Sequence, residues 1–199
     1  MRLATRASIA LLFVLVPALD LYAHPHVFIS SLVALDFEGS SLSRISVEWT
    51  FDELFSQMIA ADYDRGKKGS FTEAEAAALK KGAFDNLRNY HYFLALYLNG
   101  KPLALPAIRD FKPALRAGKL VYSFSLPLAL PIGAAGSELR ITIYDDSYYV
   151  AFDKMSPSDV AVRSGDSIAT AISIEKTKVK AEWPGQFMPD QIVLRMKRK

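Results

Sequence analysis

VFISSLVALDF at residues 27–37, EGSS at 38–41 and LSRISVEW at 42–49 decide the fold class. The first stretch is rich in β-branched and aromatic residues, which fit a pleated and half-buried surface. The second is a run of turn formers. The third alternates, with Leu42, Arg44, Ser46 and Glu48 on one side and Ser43, Ile45, Val47 and Trp49 on the other. A period of two over eight residues predicts a strand with one face buried, and the three pieces together predict a β-hairpin.

Directly after this hairpin the period changes. Thr50-Phe51-Asp52-Glu53 has the spacing of a capping box, and Leu54, Phe55, Met58 and Ile59 follow at helical intervals. Residues 62–69 interrupt that helix. A second capping box, Thr72-Glu73-Ala74-Glu75, opens another, with Ala76, Leu79, Ala83, Leu87 and Tyr90 on its inner stripe. From Tyr92 the β signal returns. Residues 93–98 run into Asn99-Gly100, a two-residue hairpin signal. Strand patterns recur at 120–126, 139–144, 148–152, 168–179 and 192–196, and Pro127, Pro131 and Pro157 are expected at edges or in loops. The expected fold is α+β, an antiparallel β-sandwich or twisted sheet with a helical hairpin inserted at residues 52–90.

The chain has 199 residues, 51% of them apolar and 23% charged, with a net charge of +3. That balance excludes a disordered chain and suits one compact domain. The N-terminus reads as a label. Arg2 and Arg6 precede the apolar run IALLFVLVPAL at 9–19, which is shorter than the roughly 20 residues a bilayer span requires. A basic start, a short apolar run and Ala23 before the break predict a secretory signal peptide at 1–23. The mature chain then divides into a β-rich domain at 24–155 and an extension at 156–199, expected to add strands to the same domain. Cysteine is absent, so there is no disulfide framework and no thiolate chemistry. A secreted chain without disulfides fits a periplasm.

There are only three histidines. His24 and His26 flank Pro25 at the expected mature terminus. In extended backbone, residues two apart point the same way, so both imidazoles can converge on one cation; imidazole suits zinc, nickel and copper. Pro25 has no amide hydrogen, which blocks the square-planar mode of free N-termini. Asp52 follows the strand expected to pair with residues 27–37, and a hairpin turning near Gly39 would set residues near 26 and 51 side by side. His26 and Asp52 then make a mixed nitrogen and oxygen site; otherwise Asp52 serves the first helical turn. His91, among aromatics, reads as a packed neutral core histidine or as a further ligand. Residues 64–75 (DRGKKGSFTEAE) have the frame of a calcium loop, with Asp64, Gly69 and Glu75 at positions 1, 6 and 12. Gly66 and Lys68 stand at positions 3 and 5, where calcium wants oxygen, so calcium binding is not expected. Asp145-Asp146 and Tyr148-Tyr149 offer oxygen ligands or a strand-end turn. No nucleophile–base pair, phosphate-cradling loop or nucleic-acid signature is present.

Several segments together resemble domain-of-unknown-function family 1007: Ala23-His24-Pro25-His26-Val27-Phe28-Ile29, Trp49-Thr50-Phe51-Asp52-Glu53, the loop before Phe71, Asn99-Gly100-Lys101-Pro102, and residues 144–152 (YDDSYYVAF). The resemblance spans residues 22–155. It implies a periplasmic component of a transport system whose genes sit beside permeases of the nickel/cobalt type, with some members linked to zinc uptake. It places the ligands on His24, His26 and Asp52. This chain lacks the acidic run typical of the helix-joining loop, and residues 156–199 lie beyond the resemblance.

The leading expectation is a periplasmic, non-enzymatic protein that binds zinc or nickel at its N-terminal histidines and exchanges it with an inner-membrane metal permease. The alternatives are a metal-free partner-docking module for such a permease, or a copper enzyme built on His24. The mature chain offers no membrane span.

Overall fold

The computed structural model describes residues 25–163, 167–177 and 188–199. Among these described residues eleven strands make two sheets, and both contribute to one hydrophobic core. The hairpin forms as its pattern predicts. β1 (Val27–Glu38) and β2 (Ser41–Phe51) pair antiparallel, with Val33 opposite Val47 and Ile29 opposite Phe51. Ile45, Val47 and Trp49 are buried. Leu42, assigned by alternation to the outer face, is also fully buried, because the register with the neighbouring strand at Lys119–Pro131 shifts between Leu42 and Arg44.

The first sheet runs β5 (Arg109–Arg116), β6 (Lys119–Pro131), β2, β1 and β8 (Val150–Phe152), and β9 (Val160–Arg163) also pairs with β1. The second runs β10 (Ile168–Lys176), β11 (Asp190–Arg198), β7 (Ser137–Ile143), β3 (Leu94–Leu98) and β4 (Lys101–Leu103). Strands from the C-terminal 44 residues thus enter both sheets: β9 beside β1, and β11 beside β7. Asn99 and Gly100 both take positive φ, as a two-residue turn between β3 and β4 requires. The part of the 168–179 strand pattern beyond Thr177 lies outside the described residues.

Pro127 and Pro131 lie inside β6 but beyond Ser125, where its ladder with β5 ends, so both stand on an edge paired on one side only, as expected. Two expectations are corrected. The first helix, α1 (Glu53–Tyr63), is capped by Asp52 and not by Thr50, which still pairs as part of β2. The second, α2 (Glu73–Gly82), has the expected Thr72/Glu75 capping box but stops at Gly82, well short of Tyr90. A Cβ at residue 82 would stand 2.5 Å from the Tyr63 hydroxyl, so a larger residue where α2 ends would have to push the Tyr63 side chain aside. A tighter 3-10 segment, Phe84–Phe93, carries the chain onward, and its last three residues, His91, Tyr92 and Phe93, all have positive φ. A run of left-handed non-glycine residues is costly, and it turns Tyr92 and Phe93 into the core while leaving His91 exposed.

Among the described residues, no helix is long and apolar enough to cross a membrane.

Candidate functional site

The start of β1 is held from both sides. On one side Tyr149 presents its carbonyl to the His26 N–H at 2.9 Å and the Val27 N–H at 3.3 Å, and β8 then runs parallel to β1 with Val27 opposite Val150. On the other side lies Asp52. Its carboxylate accepts the Phe28 N–H at 2.8 Å through one oxygen and the Phe55 N–H at 2.9 Å through the other, while its own N–H donates to the Phe28 carbonyl. One side chain thereby caps α1 and extends the β1–β2 ladder. Negative charge is favourable at that helix end. Three sequence segments far apart in the chain, around His26, Asp52 and Tyr149, therefore meet at one end of the first sheet.

The register corrects one distance. Ile29, not His26, lies opposite Phe51, so residues 26 and 51 are not side by side. Asp52 faces Phe28, and the His26 ring instead packs against the Tyr149 ring, centroids 4.9 Å apart. His26 is exposed. His24 lies outside the described residues. His91 is exposed rather than packed in the core, which overturns that reading. It lines a separate cleft of about 610 Å³ with Lys80, Asp85 and Arg88. Among the described residues, no three His, Cys, Asp or Glu side chains are grouped as a metal would need.

The turn after β7 folds around a buried carboxylate. Asp145, 3% exposed, accepts the Ser147 N–H, the Ser147 hydroxyl and the Val150 N–H at 3.1, 2.8 and 2.9 Å. Those bonds fix Tyr148 in a left-handed conformation and aim the chain into β8.

Between this turn, the end of the first sheet and the helical segment lies a cavity of about 580 Å³. Val27 and Ile29 of β1, Trp49 and Phe51 of β2, and Tyr122 of β6 contribute strand side chains to it. Phe55, Leu87, Tyr90 and Phe93 close the helical side, and Tyr149 stands at the turn. Among the described residues that line it, Asp145 alone is charged. Trp49 and Tyr122 are 0% and 3% exposed, and neither the Trp49 indole N–H nor the Tyr122 hydroxyl has a hydrogen-bond partner among the described residues. An unmade hydrogen bond at a buried group costs about 1–3 kcal/mol. Burial, with the Tyr63 phenol nearby, pushes the Tyr122 pKa up, so the hydroxyl keeps its proton and remains a donor.

The sequence hid this cavity. Trp49, Tyr122 and Phe93 read as ordinary core residues, and nothing local distinguishes a wall from a packed interior. The one available signal was the pair of polar-tipped aromatics at inward positions of neighbouring strands, Trp49 opposite Tyr122, since a buried indole or phenol usually has a partner.

The loop at residues 64–75 behaves differently. Asp64, 4% exposed, accepts the N–H groups of Lys68 and Gly69 at 3.0 and 2.8 Å. The Lys68 ammonium lies 3.1 Å from both Glu75 oxygens and 3.4 Å from Asp64. The carboxylates at calcium-loop positions 1 and 12 are thus bridged by the chain's own cation. The Thr72 N–H first, then the Lys68 ammonium, draw the Glu75 pKa down to about 2. Hydrogen bonding to Glu75 raises that of Lys68.

Fold and site together define a β-rich α+β protein with an aromatic-walled cavity beside an exposed histidine. The chain belongs to the family described as protein of unknown function (DUF1007), whose model matches residues 9–183. That match extends well past residue 155, so most of the C-terminal segment belongs to the family pattern rather than lying beyond it. The chain is also similar to an uncharacterised 15.5 kDa protein in the trpE 3′ region of Spirochaeta aurantia. The two are 32% identical over 130 residues, which cover 64% of this chain and 91% of the relative.

Proposed function

We propose that this protein is a periplasmic metal-binding accessory of a transport system, carrying zinc or nickel on His24 and His26 and exchanging it with an inner-membrane permease. The observation that supports the reading is the placement of His26. It is exposed, and its backbone is pinned to Tyr149 at the first residue before β1. The pairing of His24 with it rests on the sequence alone, since residues two apart in an extended chain share a side. Two imidazoles at a chain end would make a shallow site with open coordination positions, which favours transfer over storage. In this reading Asp52 is not a ligand, because both of its oxygens already serve backbone donors. His91 stands apart as a surface residue of the charged cleft. The metal is cargo, and no catalytic role is assigned. We also read residues 1–23 as a removed leader, the two sheets as the layers of a sandwich and α1–α2 as its helical hairpin.

Titration calorimetry of the mature protein with zinc and with nickel tests this. Replacing His24 and His26 by Ala should lower affinity at least about a hundredfold while the melting curve in metal-free buffer stays unchanged. Equal binding by both proteins would refute the site. A second reading, a metal-free docking module, draws support from the exposed apolar side chains Phe28, Leu32, Leu54 and Met58 on β1 and α1. It predicts permease binding that survives the double histidine change and is lost when Leu54 and Met58 become Ser.

A further inference from the structure

We propose that the charged cleft lined by His91, about 610 Å³ in volume, binds a small organic anion: an apolar body carrying one carboxylate. The volume is in the range of small-molecule sites. One wall comes from the 3-10 segment Phe84–Phe93, the other from residues 105–111, which lead into β5. Phe84 and Phe111, one from each wall, stack with ring centroids 3.9 Å apart, and Leu105 and Ile108 add half-buried apolar surface. A flat or branched body can bury itself there. The charges around that surface are unevenly used. Lys80, Arg88 and Arg109 bring positive charge to the lining, and Asp85 and Asp110 negative. Asp85 is held by the Lys80 ammonium at 2.6 Å, and Asp110 accepts the Ser125 hydroxyl at 2.6 Å. The Arg88 and Arg109 guanidinium groups and the His91 ring make no hydrogen bond or ion pair among the described residues. All three residues are exposed, so a molecule in the cleft can reach them. The unmet demand is for a negatively charged acceptor. A guanidinium matches a carboxylate with two parallel hydrogen bonds, and an imidazole offers a further N–H. Three cations against two carboxylates leave one positive charge, which suits a carboxylate better than a phosphate ester carrying nearly two negative charges. The backbone is also shaped at this place. His91 and Tyr92 on one wall and Asp110 on the other take positive φ, and the register of β5 with β6 shifts between Arg109 and Lys112. Bulges and left-handed non-glycine residues gather at ligand sites, where they re-aim side chains. The site lies apart from the N-terminal histidines and stands whether or not they hold a metal.

The probe is naphthalene-2-carboxylate, compared with naphthalene-2-carboxamide, which has the same shape without the charge. Acetate supplies the head without the body, and 2-naphthyl phosphate the body with a heavier charge. Titration calorimetry on the mature protein should show the carboxylate binding about tenfold more tightly than the amide, and more tightly than acetate or the phosphate. Changing Arg88→Gln and Arg109→Gln together should erase the preference for carboxylate over amide while the melting curve stays unchanged; if that variant does not fold, each single change should narrow the preference severalfold. Changing Lys101→Gln and Lys119→Gln together removes the same charge away from the cleft and should leave the preference intact. Equal affinity for carboxylate and amide, acetate binding as tightly as the naphthoate, tighter binding of the phosphate, or no saturable binding of the carboxylate would each overturn the proposal. So would a preference that survives in the folded arginine variants, or one lost equally in the lysine variant.

Discussion

The loop at residues 64–75 and the cavity beside β1 pose the same electrostatic question and answer it in opposite ways. In the loop, polar groups that could hold an outside ion are saturated from within: Asp64 takes two backbone N–H groups, and Lys68 bridges Asp64 and Glu75. In the cavity, the Asp145 turn is saturated in the same manner, yet Trp49 and Tyr122 a short way along the wall are left without partners. Charge is satisfied in both places. Of the two regions, only the cavity wall keeps buried donors without a partner among the described residues, and such groups are rare enough in folded proteins to call for an explanation.

The largest expected effect tests the saturated part of the cavity. Asp145→Ala removes the acceptor for three donors and strands the buried Val150 N–H at the start of β8. Stability should fall by about 3 kcal/mol, read from urea unfolding with an unchanged denaturant slope. A loss below about 1 kcal/mol would mean that the turn is held by something else.

Second in size is a change that reopens the loop. Lys68→Asp places a third carboxylate beside Asp64 and Glu75 and removes the cation that bridges them. The melting temperature in chelator should drop by a few degrees through like-charge repulsion, and millimolar calcium should restore it, since the frame of a calcium loop would then carry oxygen at position 5. The unaltered protein should melt at the same temperature with calcium or chelator. A calcium response in the unaltered protein would end the comparison between the two regions.

Tyr122→Phe comes next, and its sign matters more than its size. Deleting a buried hydroxyl that has a partner destabilises, whereas deleting one without a partner is neutral or stabilising. In ligand-free protein the change should lie between no effect and a gain of about 1 kcal/mol. A loss larger than that would show that the hydroxyl is engaged, and the cavity would no longer differ from ordinary core.

The reach of the sequence follows from how local each feature is. The β1–β2 pair was legible because alternation is written within eight residues, and the Thr72 capping box because its partners are three residues apart. The cap of α1 was misplaced by two residues: Thr50 pairs with Ser30 and Val121, and strand pairing won over an equally good local capping pattern. The long helix expected to reach Tyr90 failed because apolar spacing continues past Gly82, whereas glycine is a poor helix former and the chain goes on in 3-10 turns. At the candidate site, His26 stood out by rarity alone. The cavity did not, since its wall joins Val27, Trp49, Tyr122 and Val150, residues that read one by one as core. Pairing across more than a hundred positions brings them together, and no window of sequence displays it.

The smallest expected effect concerns pH and belongs to the loop. Glu75 has a folded pKa of about 2 against an ordinary 4.5, lowered first by the Thr72 N–H and then by Lys68. A carboxyl whose pKa is depressed by folding stabilises the folded state wherever it is ionised in both states, so its contribution is present above pH 4.5 and is lost as pH falls from there toward 2. Glu75→Gln keeps a side chain able to serve the capping box but cannot ionise. The melting temperature of the unaltered protein should therefore exceed that of the variant at pH 6, and the gap should close through the acid range. Asp64, also lowered and first by the Lys68 N–H, is present in both proteins and cancels in the comparison. A gap that stays constant from pH 6 to pH 2.5 would show that Glu75 acts through its shape alone, and that the bridging ammonium is not what closes the loop.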